Sequence, residues 1–301
     1  MAIWILPMAY SHLPHPHPHP HPHPHPHVHA HPHPHPHPHP HPHPHPHLHP
    51  HPHPHPHPHP HPHPHPHPLS HPTKAQAGWT DGRATFYGDI HGGETQQGAC
   101  GYGNLHKQGY GLETAALSTA LFNNGSTCGA CYEIKCFNSP QWCLPGVIKI
   151  TATNFCPPNY KKTKDIWCNP PQKHFDLSQK MYLKIAKYKS GVVPVKFRRV
   201  RCTKTGGVKF EIKGNPHFLM ILPYNVGGAG DVKAMQIKGT KTKWLPMKKN
   251  WGQIWSIGVV LTGQRLSFKL TLSDGVTKDF IDVTPANWGT TGQSFDGKVN
   301  F

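Results

Sequence analysis

Acidic residues are scarce in this 301-residue chain: 13 Asp and Glu stand against 30 Lys and Arg, for a formal charge of +17. Charge of either sign is missing before Lys74, so the whole excess falls on residues 74–301. A body that basic adheres to polyanions, either nucleic acid or acidic polysaccharide. No nucleic acid partner is expected, because no basic stripe interleaves with aromatics and no familiar nucleic-acid-binding motif occurs. Long apolar runs are missing too. Nothing approaches the ~18 consecutive apolar residues of a membrane span, so no transmembrane segment is expected. The apolar start, Met1 to Ala9, reads as the core of a weak signal peptide over residues 1–11, with no basic n-region and Pro7 inside a short run.

Cysteine is absent before Cys100 and after Cys202, yet Cys100, Cys128, Cys131, Cys136, Cys143, Cys156, Cys168 and Cys202 crowd between them. An even count within one region favours disulfides and an oxidising compartment. Zinc is the rival, since Cys128 and Cys131 form a C-x2-C pair. No second such pair and no suitably spaced histidine pair follows, so no metal site is expected, and no cofactor motif occurs. The sequence Asn124-Gly125-Ser126 is a glycosylation sequon, usable only by a secreted chain.

Residues 12–77 hold a tract that alternates His and Pro from His15 to Pro68, broken at Val28, Ala30 and Leu48. Proline at every second position removes half the backbone donors and blocks helix and sheet, which leaves disordered, polyproline II-like chain. Stretched out, it reaches roughly 170 Å at ~3.1 Å per residue. A threefold helix with His at every second position points successive imidazoles at three faces, so it holds no preformed chelate. In a mildly acidic space the imidazoles charge together and can tether the tract to anionic polymers.

The rest reads as mainly β. Alternating apolar and polar residues predict strands over 147–153, 193–200, 207–213 and 267–272, the last ending at the turn signal Ser273-Asp274-Gly275. Helices are predicted over 113–122, stopped by Asn123-Asn124-Gly125, and over 177–189, with Leu177, Met181 and Ile185 on one face. Past Cys202 there are no cysteines and no predicted helix. The domain boundary is therefore placed between 78–205 and 206–301, the second unit being long enough for a small β-sandwich.

The motifs of this body are Ala84-Thr85-Phe86-Tyr87-Gly88, Gly98-Ala99-Cys100-Gly101-Tyr102-Gly103-Asn104, Cys128-Gly129-Ala130-Cys131, Thr151-Ala152-Thr153-Asn154-Phe155-Cys156-Pro157-Pro158, His174-Phe175-Asp176 and Asn250-Trp251-Gly252. In this order, from about Gly78 to Phe301, they resemble the α-expansins, proteins that loosen plant cell walls. The resemblance implies a six-stranded double-psi β-barrel followed by an immunoglobulin-like β-sandwich that binds cellulose. It also implies the pairs Cys100–Cys128, Cys131–Cys202, Cys136–Cys143 and Cys156–Cys168.

Glycoside hydrolysis normally requires two carboxylates about 5–9.5 Å apart. The first unit offers Asp81, Asp89, Glu94, Glu113, Glu133, Asp165 and Asp176. Read from residues alone, Asp176 is a helix N-cap, with Gln179 completing a capping box. A helix N-terminus there would hold its pKa down. The resemblance selects the same Asp176 as the wall-loosening carboxylate, so it is assigned both roles, capped by position and facing a cleft. Thr85, Tyr87, Asn154 and His174 are candidate cleft residues by the same resemblance. Asn154 offers hydrogen bonds but cannot act as a carboxylate base. Where a related hydrolase would carry its base, this chain has Gly88, with Asp89 beside it. The incomplete pair predicts a protein that is not an enzyme.

Flat glucans need exposed aromatics, which cover the apolar faces of sugar rings. Among Phe218, Tyr224, Trp244, Trp251, Trp255 and Trp288, the resemblance favours Phe218 and Trp251 as the cellulose platform, and Trp255 is placed with them. Two departures mark a divergent branch: His91 stands where many α-expansins have Asp, and His217 where many have an aromatic. The expectation is a monomeric, secreted, extracellular wall protein that loosens contacts between cellulose and matrix glucans without hydrolysis. Protonated Asp176 would donate to the glucan, and the basic surface would meet acidic polysaccharide. One rival is an endoglucanase with an unrecognised base, betrayed by new reducing ends. The other is a histidine-rich metal- or polyanion-binding protein anchored to the wall by its body, separable by metal titration of the tract.

Overall fold

In a computed structural model, residues 78–92, 97–289 and 291–301 are described. The expected signal peptide, the His-Pro tract and Glu94 lie outside them. The first part is a closed six-stranded barrel built from β1 (Thr80–Tyr87), β2 (Thr114–Leu117), β3 (Cys131–Cys136), β4 (Ile148–Phe155), β5 (His174–Ser178) and β6 (Val193–Val200), in the order β1-β5-β2-β4-β3-β6. The β1–β5 and β2–β4 pairs are parallel and the other four antiparallel. Closure leaves no free edge to aggregate. Alternation sends Ala84, Ala115, Leu117, Ile148, Ile150, Phe175, Leu177, Val195 and Phe197 into one core, while their neighbours face outward. Each large buried side chain contributes about 1.5–3 kcal/mol.

The second part is a sandwich. One sheet runs β10 (Leu245–Pro246), β9 (Val232–Gly239), β13 (Leu266–Leu272), β14 (Thr277–Phe280). The other runs β11 (Lys248–Trp251), β12 (Ile254–Ile257), β8 (Phe218–Tyr224), β7 (Lys209–Asn215), β15 (Ser294–Asp296). Phe210 stacks on Phe268 between the sheets at 4.4 Å and meets Phe280 edge-on at 5.1 Å. The turn at Ser273-Asp274-Gly275 closes the β13–β14 hairpin, with Gly275 at φ +87° as that tight reversal requires.

Both helix predictions are corrected. Thr114–Leu117 is strand β2, buried at all four positions between β4 and β5. A run of small and apolar residues with neighbours on both sides has no polar helix face to show to water, and the ladder wins over propensity. Only Thr119–Phe122 is helical (α1), and it ends at Asn123 with φ +47°. Leu177 likewise belongs to β5 and the barrel core; the helix beyond it is Gln179–Tyr182 (α2).

Four disulfides pair Cys100 with Cys128, Cys131 with Cys202, Cys136 with Cys143 and Cys156 with Cys168. The C-x2-C pair is thus divided between two bridges, and no metal-ligating cluster occurs among the described residues. No described helix is long and apolar enough to cross a membrane.

Barrel and sandwich are tightly joined. Cys100, Tyr102, Leu105, Tyr110 and Cys128 form one apolar cluster with Leu222 and Ile254 of the sandwich. The Gln253 backbone N–H donates to the Cys100 carbonyl at 2.9 Å and its side chain to the Cys128 carbonyl at 2.8 Å. At Gly129 and Gly230 the two backbones meet so closely that a Cβ on either would lie 2.5 or 2.3 Å from the other's carbonyl oxygen. Beside them Arg199, at the end of β6, donates to Asp231 at 2.6 Å and to the Ala229 carbonyl at 2.9 Å. Asp231 is only 5 % exposed, and it also accepts from Ser273 at 2.7 Å.

Arg199→Met strands that buried carboxylate and is expected to cost about 3–5 kcal/mol in urea unfolding. Lys196→Met, whose partner Asp81 is 82 % exposed, should cost under about 1 kcal/mol.

Candidate functional site

The site grows from strand register. Thr85 of β1 lies beside Asp176 of β5, Asp176 beside Ala116 of β2, and Ala116 beside Asn154 of β4. Ala84, Ala115, Phe175 and Leu177 point into the core, so Thr85, Ala116 and Asp176 point the other way. Asn154 should by alternation share the core face of Ile150 and Ala152. A register shift skips Thr153 and re-aims Asn154 beside Ala116. Two further residues join by the period of two: Tyr87 beyond Thr85, and His174 before Asp176.

The row is hydrogen-bonded. The Thr85 hydroxyl donates to Asp176 Oδ1 at 2.6 Å, and Thr85 Oγ1 lies 2.8 Å from His174 Nε2. With the hydroxyl proton committed to Asp176, the short contact requires Nε2–H of His174 to be the donor. That tautomer leaves Nδ1 bare, and Nδ1 is buried without a partner among the described residues. Burial, then the charge of Arg83, depresses the His174 pKa to about 4, so it stays neutral. Arg83 lies 4.8 Å over the Trp167 ring, and Trp167 stacks towards His174 at 6.5 Å and 22°.

Asp176 is not a helix cap. It is a strand residue, and the residue before α2 is Ser178, which makes no side-chain cap bond. Its environment therefore inverts the sequence expectation: burial raises its pKa, opposed by the bond from Thr85. Burial also holds the Tyr87 phenol up, opposed by its hydrogen bond with Thr114 and aided less by the Asp176 charge.

No other described carboxylate is a register partner of this row. Asp81 pairs with Lys196 and Glu133 with Arg198, while Glu113 and Asp165 are exposed. Asp89 is exposed and accepts the His91 backbone N–H at 2.7 Å within its own turn. His174 is fully buried, which removes it from direct contact with a ligand and makes it a support for Thr85. The Asn154 side-chain Oδ1 accepts both the Ala99 and Phe155 backbone N–H at 2.8 Å, leaving its side-chain N–H groups for a ligand. Sequence reasoning passed over Arg83 and Trp167. The available signals were Arg83's place two residues before Thr85 and Trp167's place in the loop closed by Cys156–Cys168.

On the sandwich, Phe218 and Trp251 are 46 % and 50 % exposed and share the outer face of the five-stranded sheet with Met220. Trp255 is corrected. It pairs with Ile221, points inward with the sandwich core and is 4 % exposed, so it cannot present its ring. Trp288 is buried as well. Asn124 is exposed at φ +50° in the loop after α1.

The family model described as "Expansin C-terminal domain" matches residues 208–285, and the one described as "Lytic transglycolase" matches 114–197. Expansin-A24 of Arabidopsis thaliana is 82 % identical over 225 residues, spanning 75 % of this chain and 72 % of that protein. The chain belongs to the α-expansin family. Expansin-A13 of Oryza sativa subsp. japonica is 49 % identical to this expansin over 231 residues, 75 % of this chain and 88 % of the relative. The apo expansin of Clavibacter michiganensis covers 73 % of this chain and 96 % of its own, with a TM-score of 0.55 and 18 % identity, a likeness of fold. A mutant of that bacterial protein has been solved in complex with cellohexaose. Like its family, this expansin functions in loosening plant cell walls and is not a hydrolase.

His174 gives a measurable acid dependence. The folded chain keeps it neutral down to about pH 4, whereas the unfolded chain protonates it near 6.5. Its contribution is therefore intact above 6.5 and declines by on the order of 3 kcal/mol as the pH falls to 4. Asp176, raised in the folded state, runs the opposite way. Urea unfolding of wild type against His174→Gln, whose amide can still donate to Thr85, should show that acid-side loss in the wild type and not in the variant.

Proposed function

We propose that this expansin loosens walls by inserting one protonated carboxyl, Asp176, as a hydrogen-bond donor among the contacts between a matrix glucan and cellulose. The observation that carries this reading is the solitary Asp176. Its neighbours in the sheet are Thr85 and Ala116, neither of which can serve as the second carboxylate of a hydrolase. The incomplete carboxylate pair thus favours rearrangement of non-covalent contacts over bond cleavage. Thr85 occupies Oδ1 and leaves Oδ2 to carry the proton. Tyr87, Trp167 and the amide of Asn154 supply the ring contact and further hydrogen bonds that a glucan chain requires.

Phe218 and Trp251 hold cellulose on the sandwich, a role supported by their exposure on one face. Cellohexaose in the mutant bacterial expansin supports glucan as the ligand class. The protein works as a secreted, extracellular monomer of the cell wall, in keeping with four disulfides. Asn124 accepts a glycan, and the surplus of lysine contacts acidic polysaccharide as a second class of wall polymer.

The test is creep of heat-inactivated wall strips under constant load. Wild type should extend them more at acidic than at neutral pH, because the raised Asp176 pKa preserves the donor in acid. Asp176→Ala, which removes the donor, should reduce acid creep by about tenfold, the worth of one hydrogen bond. Asp176→Asn, whose amide donates at every pH, should instead lose the acid stimulation. Soluble sugar released in the bath would reveal a glucanase instead. Trp251→Ala should weaken retention on crystalline cellulose by about tenfold, whereas Trp255→Ala should instead lower the thermal midpoint.

A further inference from the structure

The four-stranded sheet turns Met235, Ile237, Phe268 and Leu270 into the sandwich core. Its opposite face therefore carries Gln236 and Lys238 from β9 and Lys269 and Thr271 from β13. In register, Lys269 lies beside Gln236 and Lys238 beside Ser267, so the two lysines are diagonal neighbours. Diagonal pairs stand about 7–8 Å apart, within reach of long side chains. Trp244, on the connection from β9 to β10, lies across them half-buried. The ammonium of Lys238 is 5.0 Å and that of Lys269 4.7 Å from the ring centroid.

Two cations on one indole leave surplus positive charge. Asp279, 3.4 Å from Lys269, is the one carboxylate paired with them, and Lys238 has no ion pair among the described residues. Lys241 and Lys243 of the same connection are exposed and add to the field. A neutral glucan would gain little from this arrangement, since it brings no charge to offset the ammonium groups. A uronate ring brings both halves: an apolar face for the indole and a carboxylate for the lysines. The amide of Gln236 and the hydroxyl of Thr271 stand in the same rows to meet sugar hydroxyls.

We infer that Trp244, Lys238 and Lys269 form a binding site for an acidic, uronate-containing polysaccharide, on the sandwich face opposite Phe218 and Trp251. The inference rests on the reading above that the basic body contacts acidic wall polymer, and adds where it does so.

Binding of the full chain to polygalacturonate, at about pH 7.5 where ordinary histidines are neutral, tests it by affinity electrophoresis and calorimetry. Trp244→Ala and, separately, Lys238→Gln with Lys269→Gln should each weaken binding by about tenfold. A control pair of exposed barrel lysines, Lys161→Gln with Lys162→Gln, should change it less than about twofold. Retention on cellulose and the thermal midpoint should be unchanged. Wild type that ignores polygalacturonate sinks both the site and the wider reading. Equal losses from the control pair, with none from Trp244→Ala, leave diffuse attraction to acidic polymer standing and remove this site. Equal binding of the fully methyl-esterified polymer, or a parallel loss of cellulose retention, would also overturn it.

Discussion

The ion pair between Arg199 and Asp231 is the constraint on which the arrangement of this molecule depends. Arg199 closes the last barrel strand and Asp231 opens the sandwich strand β9, and one carboxylate collects Arg199 and Ser273 in a nearly dry setting. Around it two glycines let the main chains touch at a distance no side chain would allow. A buried pair of this kind is weak evidence for raw stability, since desolvation offsets most of the attraction. Its value lies in orientation: a guanidinium and a carboxylate accept few relative poses. The apolar cluster of Tyr102, Tyr110, Leu222 and Ile254 supplies adhesion, and the ion pair supplies registration.

Within the barrel, chemistry follows from one residue of irregularity. A regular β4 would bury Asn154 with Ile150. The skipped Thr153 turns it outward, and its side-chain Oδ1 then ties down the Ala99 backbone, next to the disulfide at Cys100. On the other side of Asp176, His174 is kept neutral by its dry surroundings so that Nε2–H feeds Thr85 and Thr85 feeds Asp176. A charged imidazole there would stabilise the carboxylate and lower its pKa. Neutrality of one group thus leaves the upward shift of the other in place.

Much of this was legible in the chain, for reasons that differ by element. The alternation of Val193–Val200 marked β6 with the same ends, because one face of that strand is apolar and the other polar. The motif order identified the family, and through it the barrel, the sandwich and the disulfide pairs. Local reasoning failed where tertiary neighbours on both sides erase the alternation, as at Thr114–Leu117, or where a strand runs straight into a helix, as at Leu177. The capping-box pattern at Asp176 and Gln179 misled because Asp176 lies two residues too early, still inside β5. Trp251 and Trp255 are alike in composition and opposite in direction. A bulge between Lys249 and Trp251 shifts the pairing, so only the register of β12 against β8 tells them apart. Arg83 and Trp167 had no motif to announce them; they meet because a disulfide-closed loop returns to β1.

The bridge between Cys131 and Cys202 has a mechanical meaning. Cys202 stands just beyond β6, where the chain leaves the barrel for the sandwich, and Cys131 begins β3. Tension entering along that connection meets the sulfur bridge first and passes into β3 through a covalent bond. Strand β6, hydrogen-bonded on both sides by β1 and β3, is spared from being unzipped from its exposed end. A protein lodged between polymers that slide past each other would thereby carry shear load without surrendering the strand that closes its barrel.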